Sequence, residues 1–494
     1  MFRAYDKEIK TMAKQQHLPH RKQSTVGGTP VYIDDRTALR LSQLFSQETE
    51  LAGLTKVVFT QLQAMTDLRG MSYRFEPLDT EILHGTNDRH TAEYNLNFKD
   101  TELGNLTLFF ARRQSDQQVR TFLAEKLTPE LRRAGQLMTS VYADHDASME
   151  WQRILHERGW AAPAWPVAHG GCDWSLTQHY IFSRESQLAG APSLSPMGIR
   201  MVAHAIIKFG TDEQKDYFLP RILTGEVFFC QGYSEPEAGS DLAALSMAAR
   251  DDGDHLVCTG SKIWTTHARE ANWMFALVRT SRSDKKQRGI TFVLIDMSAP
   301  GIEIRPLVMT SGEEVQNQVF FDDVRVPKAN VIGDIDDGWT VAKYLLEFER
   351  GGGATAPALQ VMAEDIATVS AQQPGPGGGR LLDDPAFAHK LAELRIRTEV
   401  LEILEYQVLA VVAAGGNPGA KSSMLKVLST ELSQALTELA MEAAGPRGRV
   451  YQPHATCPGG PIADFTPPQH DYVSGEPWQA VAPLRYFNDR AGSI

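Results

Sequence analysis

The periodicity of apolar residues changes twice along this chain, and that change limits the architectures open to it. Between residues 116 and 227 apolar positions recur at helical spacing, in DQQVRTFLAEKLTPELRRA, SMEWQRILHERGW, TQHYIFSRESQLAG and GTDEQKDYFLPRIL. From Phe228 to about residue 330 the pattern turns strand-like. HLVCTGSKIWTT, NWMFALVRT, GITFVLIDM, GIEIRPLVM and NQVFFDDVRVP are bounded by Gly, Asp and Ser turn residues. Helical spacing returns beyond Gly338, in GWTVAKYLLEFERG, PAFAHKLAELRIRTEVLEILEYQVLAVVAA and SSMLKVLSTELSQALTELAMEAAG. The expected fold class is multidomain α+β: an all-α domain at 116–227, a β-barrel or sandwich at 228–330 and a helix bundle at 331–494. QPGPGGGR has no strand before it and no Gly-Lys after it, so it reads as a linker and not a phosphate loop.

Ahead of these blocks, residues 1–36 read as a polar tail and 37–115 as a small α/β unit. One or two amphipathic helices are expected up to Leu68, followed by the strand-like runs GMSYRF, HTAEYNLNF and GNLTLFFARR. Alternation in YNLNF and the turn-like KDTELG predict an antiparallel pair.

Charge narrows the partners. Lys and Arg number 49 against 61 Asp and Glu, a net charge of −12, which argues against nucleic acid as the main partner. The four cysteines stand far apart with no metal-ligand spacing, so neither a disulfide scaffold nor a zinc site is expected. No apolar run approaches the roughly 20 residues of a membrane helix, and no signal-peptide core is visible near the start. A cytoplasmic, reducing compartment is the expectation.

Two motifs and one helix carry chemistry. In QGYSEPEAGSD, Gly239 and the small Ala238 let backbone approach a ligand, and Ser234 and Ser240 offer hydroxyls. In SKIWTT, strand alternation puts Trp264 and Thr266 on one face. On the helix beginning near Gly338, Ala342, Leu345, Leu346 and Glu349 share a face, so a carboxylate at 349 would have apolar neighbours. Desolvation would raise its pKa toward a range useful for a base. Taken alone, each feature also has a structural explanation: a surface turn, a packed tryptophan, or a glutamate paired with Arg350 or Lys343 on a solvated face.

QGYSEPEAGSDL, SKIWTT and FDDVRVP, in that order, resemble the acyl-CoA dehydrogenase family, and HERGWAAPAWPVAHGG and FGTDEQKDYFLPRILTGE look like its N-terminal helical domain. The likeness covers about residues 118–494. It implies FAD-dependent α,β-dehydrogenation of an acyl-CoA substrate, in which a base takes the α-proton while a hydride leaves the β-carbon for flavin N5. It also implies an electron-transfer flavoprotein or similar acceptor, and a homo- or hetero-oligomer. By the same resemblance Gln231, Tyr233 and Ser234 flank the flavin ring, and Ser240 lies near the pyrophosphate and the thioester. Trp264 covers the isoalloxazine, and Thr265 and Thr266 complete the cofactor-binding set, with the Thr266 hydroxyl directed toward N5. Two base positions occur in the family, and FER matches the one on this helix, which makes Glu349 the catalytic residue and Glu347 and Arg350 substrate-binding residues.

The chain departs from the family in three places. Glu237 stands where glycine is usual. Family members continue beyond YFNDRAGSI into a glycine-rich segment that closes over FAD, and their RxxFG sequence is not recognisable here. These departures predict weakened FAD affinity or a partner subunit that supplies the missing contacts, and they keep open a second possibility, a catalytically impaired member acting in binding or assembly. An acyl-CoA oxidase shares the early motifs. Residues 37–115 have no counterpart in the family and resemble GAF-type sensor units about as well as a featureless α/β spacer.

Overall fold

The computed structural model describes Lys56, Phe59, the strands between residues 68 and 110, and then residues 115–140, 143–349, 354–413, 416–470 and 472–492. The expected polar tail and most of the expected first helices lie outside the described residues. The chain divides into two compact units: one comprises residues up to Val119 with Tyr406–Pro418, the other Arg120–Glu405 with Gly419–Ile494.

The first unit holds a four-stranded antiparallel sheet of β1 (Leu68–Phe75), β2 (Thr80–Gly85), β3 (His90–Phe98) and β4 (Thr101–Phe110), in the order β2-β1-β4-β3. The β3–β4 hairpin turns at KDTELG as the alternation predicts, with Phe98 opposite Thr101. The sequence pattern shows three strands and not four. TEILHG carries no clean alternation, and as an edge strand it has a partner on one side only.

The second unit begins within α1 (Ser115–Lys126), which is separated from α2 (Pro129–Gln136) by Thr128, whose hydroxyl accepts from Leu131 N while Pro129 opens the new helix. Then come α3 (His145–Arg158), closed by Gly159 in the left-handed conformation, and α4 (Leu176–Leu188). A π-turn at Met197–Val202 runs directly into α5 (Ala203–Phe209), and α6 (Asp212–Thr224) starts with a Thr211/Gln214 capping box. The Gln214 amide also donates to the carbonyls of Ala329 and Val331, fastening the helical layer to the chain leaving the β domain.

The β domain is one seven-stranded sheet: β5 (Phe229–Gly232), β6 (Ala248–Asp252), β7 (His255–Thr266), β8 (Trp273–Arg279), β9 (Ile290–Asp296), β10 (Ile302–Leu307) and β11 (Gln316–Pro327). The order is β10-β11-β7-β6-β8-β5, with β9 on β8. β5 pairs parallel with β8, whereas β10, β11, β7 and β9 pair antiparallel with their neighbours. Burial explains the two textures of the strand sequences. β8 and β9 are buried on both faces and read as continuous apolar runs, while β10 alternates with one side in water. Met274, Ala276 and Val278 fill one core layer with Cys230, Cys258 and Val319. The opposite layer is aromatic, with Phe275 stacked on Phe292 and Tyr233 edge-on to both.

The C-terminal helices are α7 (Gly338–Glu349), α8 (Ala356–Ser370), α9 (Pro385–Ala413), α10 (Ala420–Ala444) and α11 (Pro477–Asp489). α8 and α11 do not stand out in the sequence pattern. α8 starts without a side-chain cap of its own, and the buried Glu405 carboxylate accepts from Thr355 N and Ala356 N instead. Glu405 also accepts from Tyr180 on α4. Pro477 opens α11, where proline is favoured, and burial through Ala480, Val481, Ala482 and Leu484 overrides the poor helix propensity of Pro483 inside it. Beneath it the buried Glu313 carboxylate gathers Thr139, Gly459 and Asn488. QPGPGGGR is a turn closed by Gly375 N donating to Gly379 O, in keeping with a linker.

Candidate active site

β5 ends at Gly232, and the chain then makes a tight loop in which Glu235 and Ala238 exchange backbone hydrogen bonds, leaving Pro236, Glu237, Gly239, Ser240 and Asp241 exposed. Gln231 and Ser234 are half-buried. At Gly239 no protein atom lies within 4 Å of the place a Cβ would take, and its φ is not positive. Neither packing nor backbone conformation therefore demands glycine there, which leaves room for close approach by a ligand. Ala238 is buried and belongs to the loop's own packing.

The loop is bolted to β7 by a buried ion pair. Lys262 Nζ donates to Glu235 Oε1 at 2.8 Å, to Leu277 O at 2.7 Å and to Tyr233 O at 3.2 Å. The other lone pairs of Glu235 accept from Ser246 N, Ser246 Oγ and Met247 N. Burial works against the charge of Glu235, but Lys262 and these hydrogen bonds prevail and hold its pKa below the usual carboxylate range. Burial lowers the Lys262 pKa, and Glu235 opposes that shift. The same Oε1 and Nζ satisfy backbone groups on both sides, so the pair fixes the spacing between the two motifs. Neither residue stands out as functional in the sequence, because a strand lysine and a loop glutamate 27 positions apart look like ordinary surface charges.

One expectation for β7 needs correction. Trp264 and Thr266 do not share a face. The register with β11 shifts between Lys262↔Val319 and Thr265↔Asn317, one extra residue on β7, and Trp264 sits at that bulge with φ 59°. Its indole is 60% exposed, whereas Thr266 is 5% exposed and Thr265 is fully buried. Gln316 Nε2 donates to Thr266 Oγ1 at 3.0 Å, and Asn317 Nδ2 donates to the carbonyl of Thr265. The Thr265 side chain is thus buried in protein. Tyr233 likewise packs its ring into the aromatic layer.

A left-handed, non-glycine residue carrying a large exposed aromatic is strained and poorly packed at once, a combination that points to function. Ile263 N donates to Ser234 O, bringing this bulge beside the exposed loop. A flat aromatic platform, an open glycine and the Ser234 and Ser240 hydroxyls form a surface that fits a flavin and its phosphates.

α7 packs over β8 and β9 on the aromatic side, and against the π-turn and α5. At its first residue a Cβ on Gly338 would lie 2.3 Å from Phe292 N, so the helix start abuts the sheet backbone. Farther along, Tyr344 meets Phe209 edge-on and Lys208 Nζ stands 3.9 Å from its ring centroid. Val341, Ala342 and Leu345 are buried, Leu346 is half-buried and Glu347 is exposed. Glu349 ends the helix, and its side chain lies outside the described residues, as does Arg350. No cluster of three or more metal-binding side chains occurs among the described residues, and no helix there is long and apolar enough to cross a membrane.

A helical layer, a curled sheet and a helix bundle around such a surface define a flavoprotein oxidoreductase. Family models describe the same three parts: the acyl-CoA dehydrogenase N-terminal domain matches residues 111–226, the middle domain 230–324 and the C-terminal domain 336–457. The acyl-CoA dehydrogenase FadE26 of Mycobacterium tuberculosis is 33% identical over 361 residues, covering 69% of this chain and 90% of that protein. Two solved structures superpose at similar quality. "Tcur3481-Tcur3483 steroid ACAD" gives a TM-score of 0.62 at 28% identity, covering 76% of this chain and 91% of the other. The ChsE4-ChsE5 complex from Mycobacterium tuberculosis gives 0.61 at 29%, covering 77% and 91%. This chain belongs to the acyl-CoA dehydrogenase family, and dehydrogenation of acyl-CoA thioesters is the general activity that membership carries. The family models begin at residue 111 and lend no support to the GAF-type resemblance upstream.

Proposed function

We propose that the chain binds FAD on the Trp264 surface and removes the α-proton of a bound acyl-CoA with Glu349. The observation that carries this is the exposed Trp264 indole, locked in a left-handed backbone beside a loop that Lys262 and Glu235 clamp to it. Gln231, the backbone of Tyr233 and Thr265, Ser234, Ser240 and Thr266 would hold the cofactor with Trp264, and Glu347 and Arg350 would meet the substrate. When bound, FAD would supply the acceptor for the hydride leaving the β-carbon. The chain's own part is to orient the thioester, exclude water through the packed α7–sheet layer, and hold a base at the end of α7, whose start is fixed against β9.

Proposed partners are an electron-transfer flavoprotein or similar acceptor and further subunits, the latter supported by a relative solved as the ChsE4-ChsE5 complex. The test is a panel of acyl-CoA esters added to the FAD-loaded protein. Wild type should bleach with a suitable ester, and Glu349→Gln should retain flavin while turnover with an electron-acceptor dye collapses. Unchanged turnover in that variant rules out this base, and a colourless protein that FAD does not reconstitute favours a binding or assembly subunit.

A further inference from the structure

β7 ends at Thr266 and β11 begins at Gln316, and the register sets these two residues opposite each other, two positions beyond the exposed Trp264. Their side chains meet at one oxygen. Gln316 Nε2 lies 3.0 Å from Thr266 Oγ1 and Gln316 Oε1 lies 3.2 Å from it, so the amide can give the hydroxyl a hydrogen bond or take one from it. A hydroxyl carries a single hydrogen. When the amide donates, that hydrogen is released for another acceptor; when the amide accepts, it is used up inside the pair. Neither side chain has another hydrogen-bond partner among the described residues.

The chain is pinned on both sides of this pair. Asn317 Nδ2 donates to Thr265 O at 3.0 Å and to Val315 O at 3.1 Å, and His267 N donates to Val315 O at 2.9 Å. Gln316 is thus held between two ties to the residues that flank Thr266. Thr266 is 5% exposed and Gln316 is half-buried. At that depth two apolar side chains would serve cross-strand packing as well. An amide that can reverse the sense of its bond does something more, because it decides where the hydroxyl hydrogen points.

We infer that Gln316 is a positioning residue that acts through Thr266: by donating to Oγ1 it directs the hydroxyl hydrogen toward the flavin ring. The inference rests on the cofactor surface proposed above, in which Thr266 takes part. A hydroxyl whose oxygen accepts a hydrogen bond is itself a stronger donor. A donor aimed at the ring stabilises the electron density the ring gains on reduction. Gln316 therefore raises both the affinity for FAD and the ease with which it is reduced.

The test uses the full chain reconstituted with FAD and needs no substrate. FAD affinity is followed by fluorescence titration, the ring environment by the visible absorption spectrum, and the reduction potential by equilibration with a reference dye. Gln316→Met should weaken FAD binding about 2- to 10-fold, the range of one neutral hydrogen bond, shift the spectrum and lower the potential. Gln316→Glu nearly preserves the shape, but its carboxylate can only accept from Oγ1, so it should lower the potential further than Gln316→Met does. In a Thr266→Val background, Gln316→Met should have no additional effect. Wild-type affinity, spectrum and potential in Gln316→Met overturn the inference and leave the cofactor assignment standing. So does an effect of Gln316→Met that persists in full in the Thr266→Val background. A pair that only packs predicts that both substitutions at 316 change the melting temperature and not the potential, which also overturns it. A chain that takes up no FAD overturns the cofactor assignment, and this inference with it.

Discussion

Lys262 Nζ lies 2.8 Å from Glu235 Oε1 with both side chains sealed from water, and through this pair the loop of one motif is held against the strand of the other. Removing one partner strands a buried charge. Lys262→Met should therefore destabilise the protein by about 3–5 kcal/mol, measured by urea denaturation, and should weaken flavin binding. Glu235→Leu combined with Lys262→Met should recover part of the stability but not the flavin affinity, since the Lys262 anchor on Tyr233 O is lost in both and the double variant also loses the Glu235 anchors on Ser246 and Met247.

Trp264 predicts the reverse pattern. Its indole is mostly exposed and its backbone is left-handed, so Trp264→Gly removes little buried surface and relieves strain. Stability of the flavin-free protein should change by no more than about 1 kcal/mol. FAD affinity, followed by fluorescence quenching, should fall at least about tenfold if the indole stacks on the ring.

Gly338 sets where α7 begins. A methyl there would collide with Phe292 N and with Thr291 backbone atoms at 2.3–2.8 Å. Gly338→Ala should move the helix off β9, lower the melting temperature by several degrees, and cut kcat more than FAD binding, because the helix carries the proposed base and the Trp264 surface does not depend on it. Equal effects on both would show a general loss of fold.

His204 gives a pH signature. Its pKa falls from 6.5 to about 4 on folding, through burial and then the Arg200 charge. The unfolded chain therefore takes up a proton below about pH 6.5 that the folded state refuses until about pH 4. Stability present above pH 6.5 should be lost across that window, up to about 3 kcal/mol. Comparing wild type with His204→Gln at pH 7.5 and pH 4.5 isolates this contribution from carboxylate titration, and an identical acid loss in both proteins would refute it.

Much of the molecule was legible in the residues. The order of helical and alternating blocks marked the three parts, and QGYSEPEAGSD and SKIWTT marked the exposed loop and the strand beside it, because local periodicity and turn chemistry act over a few residues. The β8 and β9 runs could be recognised as strands from their β-branched and aromatic content even without alternation.

Where distant segments decide the conformation, no local pattern carries such a signal. The bulge that lifts Trp264 out of line arises from its register with β11, some fifty residues away. α8 is capped by Glu405, fifty positions downstream, and α11 is helical despite Pro483 inside it because a buried face overrides propensity. The π-turn at Met197–Val202 is fixed by an indole from an earlier loop. Sequence alone thus determined the class of fold and the family motifs, which depend on local patterns. Tertiary packing decided which side chains of those motifs are exposed and which are buried, because bulges, caps and buried ion pairs are settled only when remote segments compete for the same hydrogen bonds and the same space.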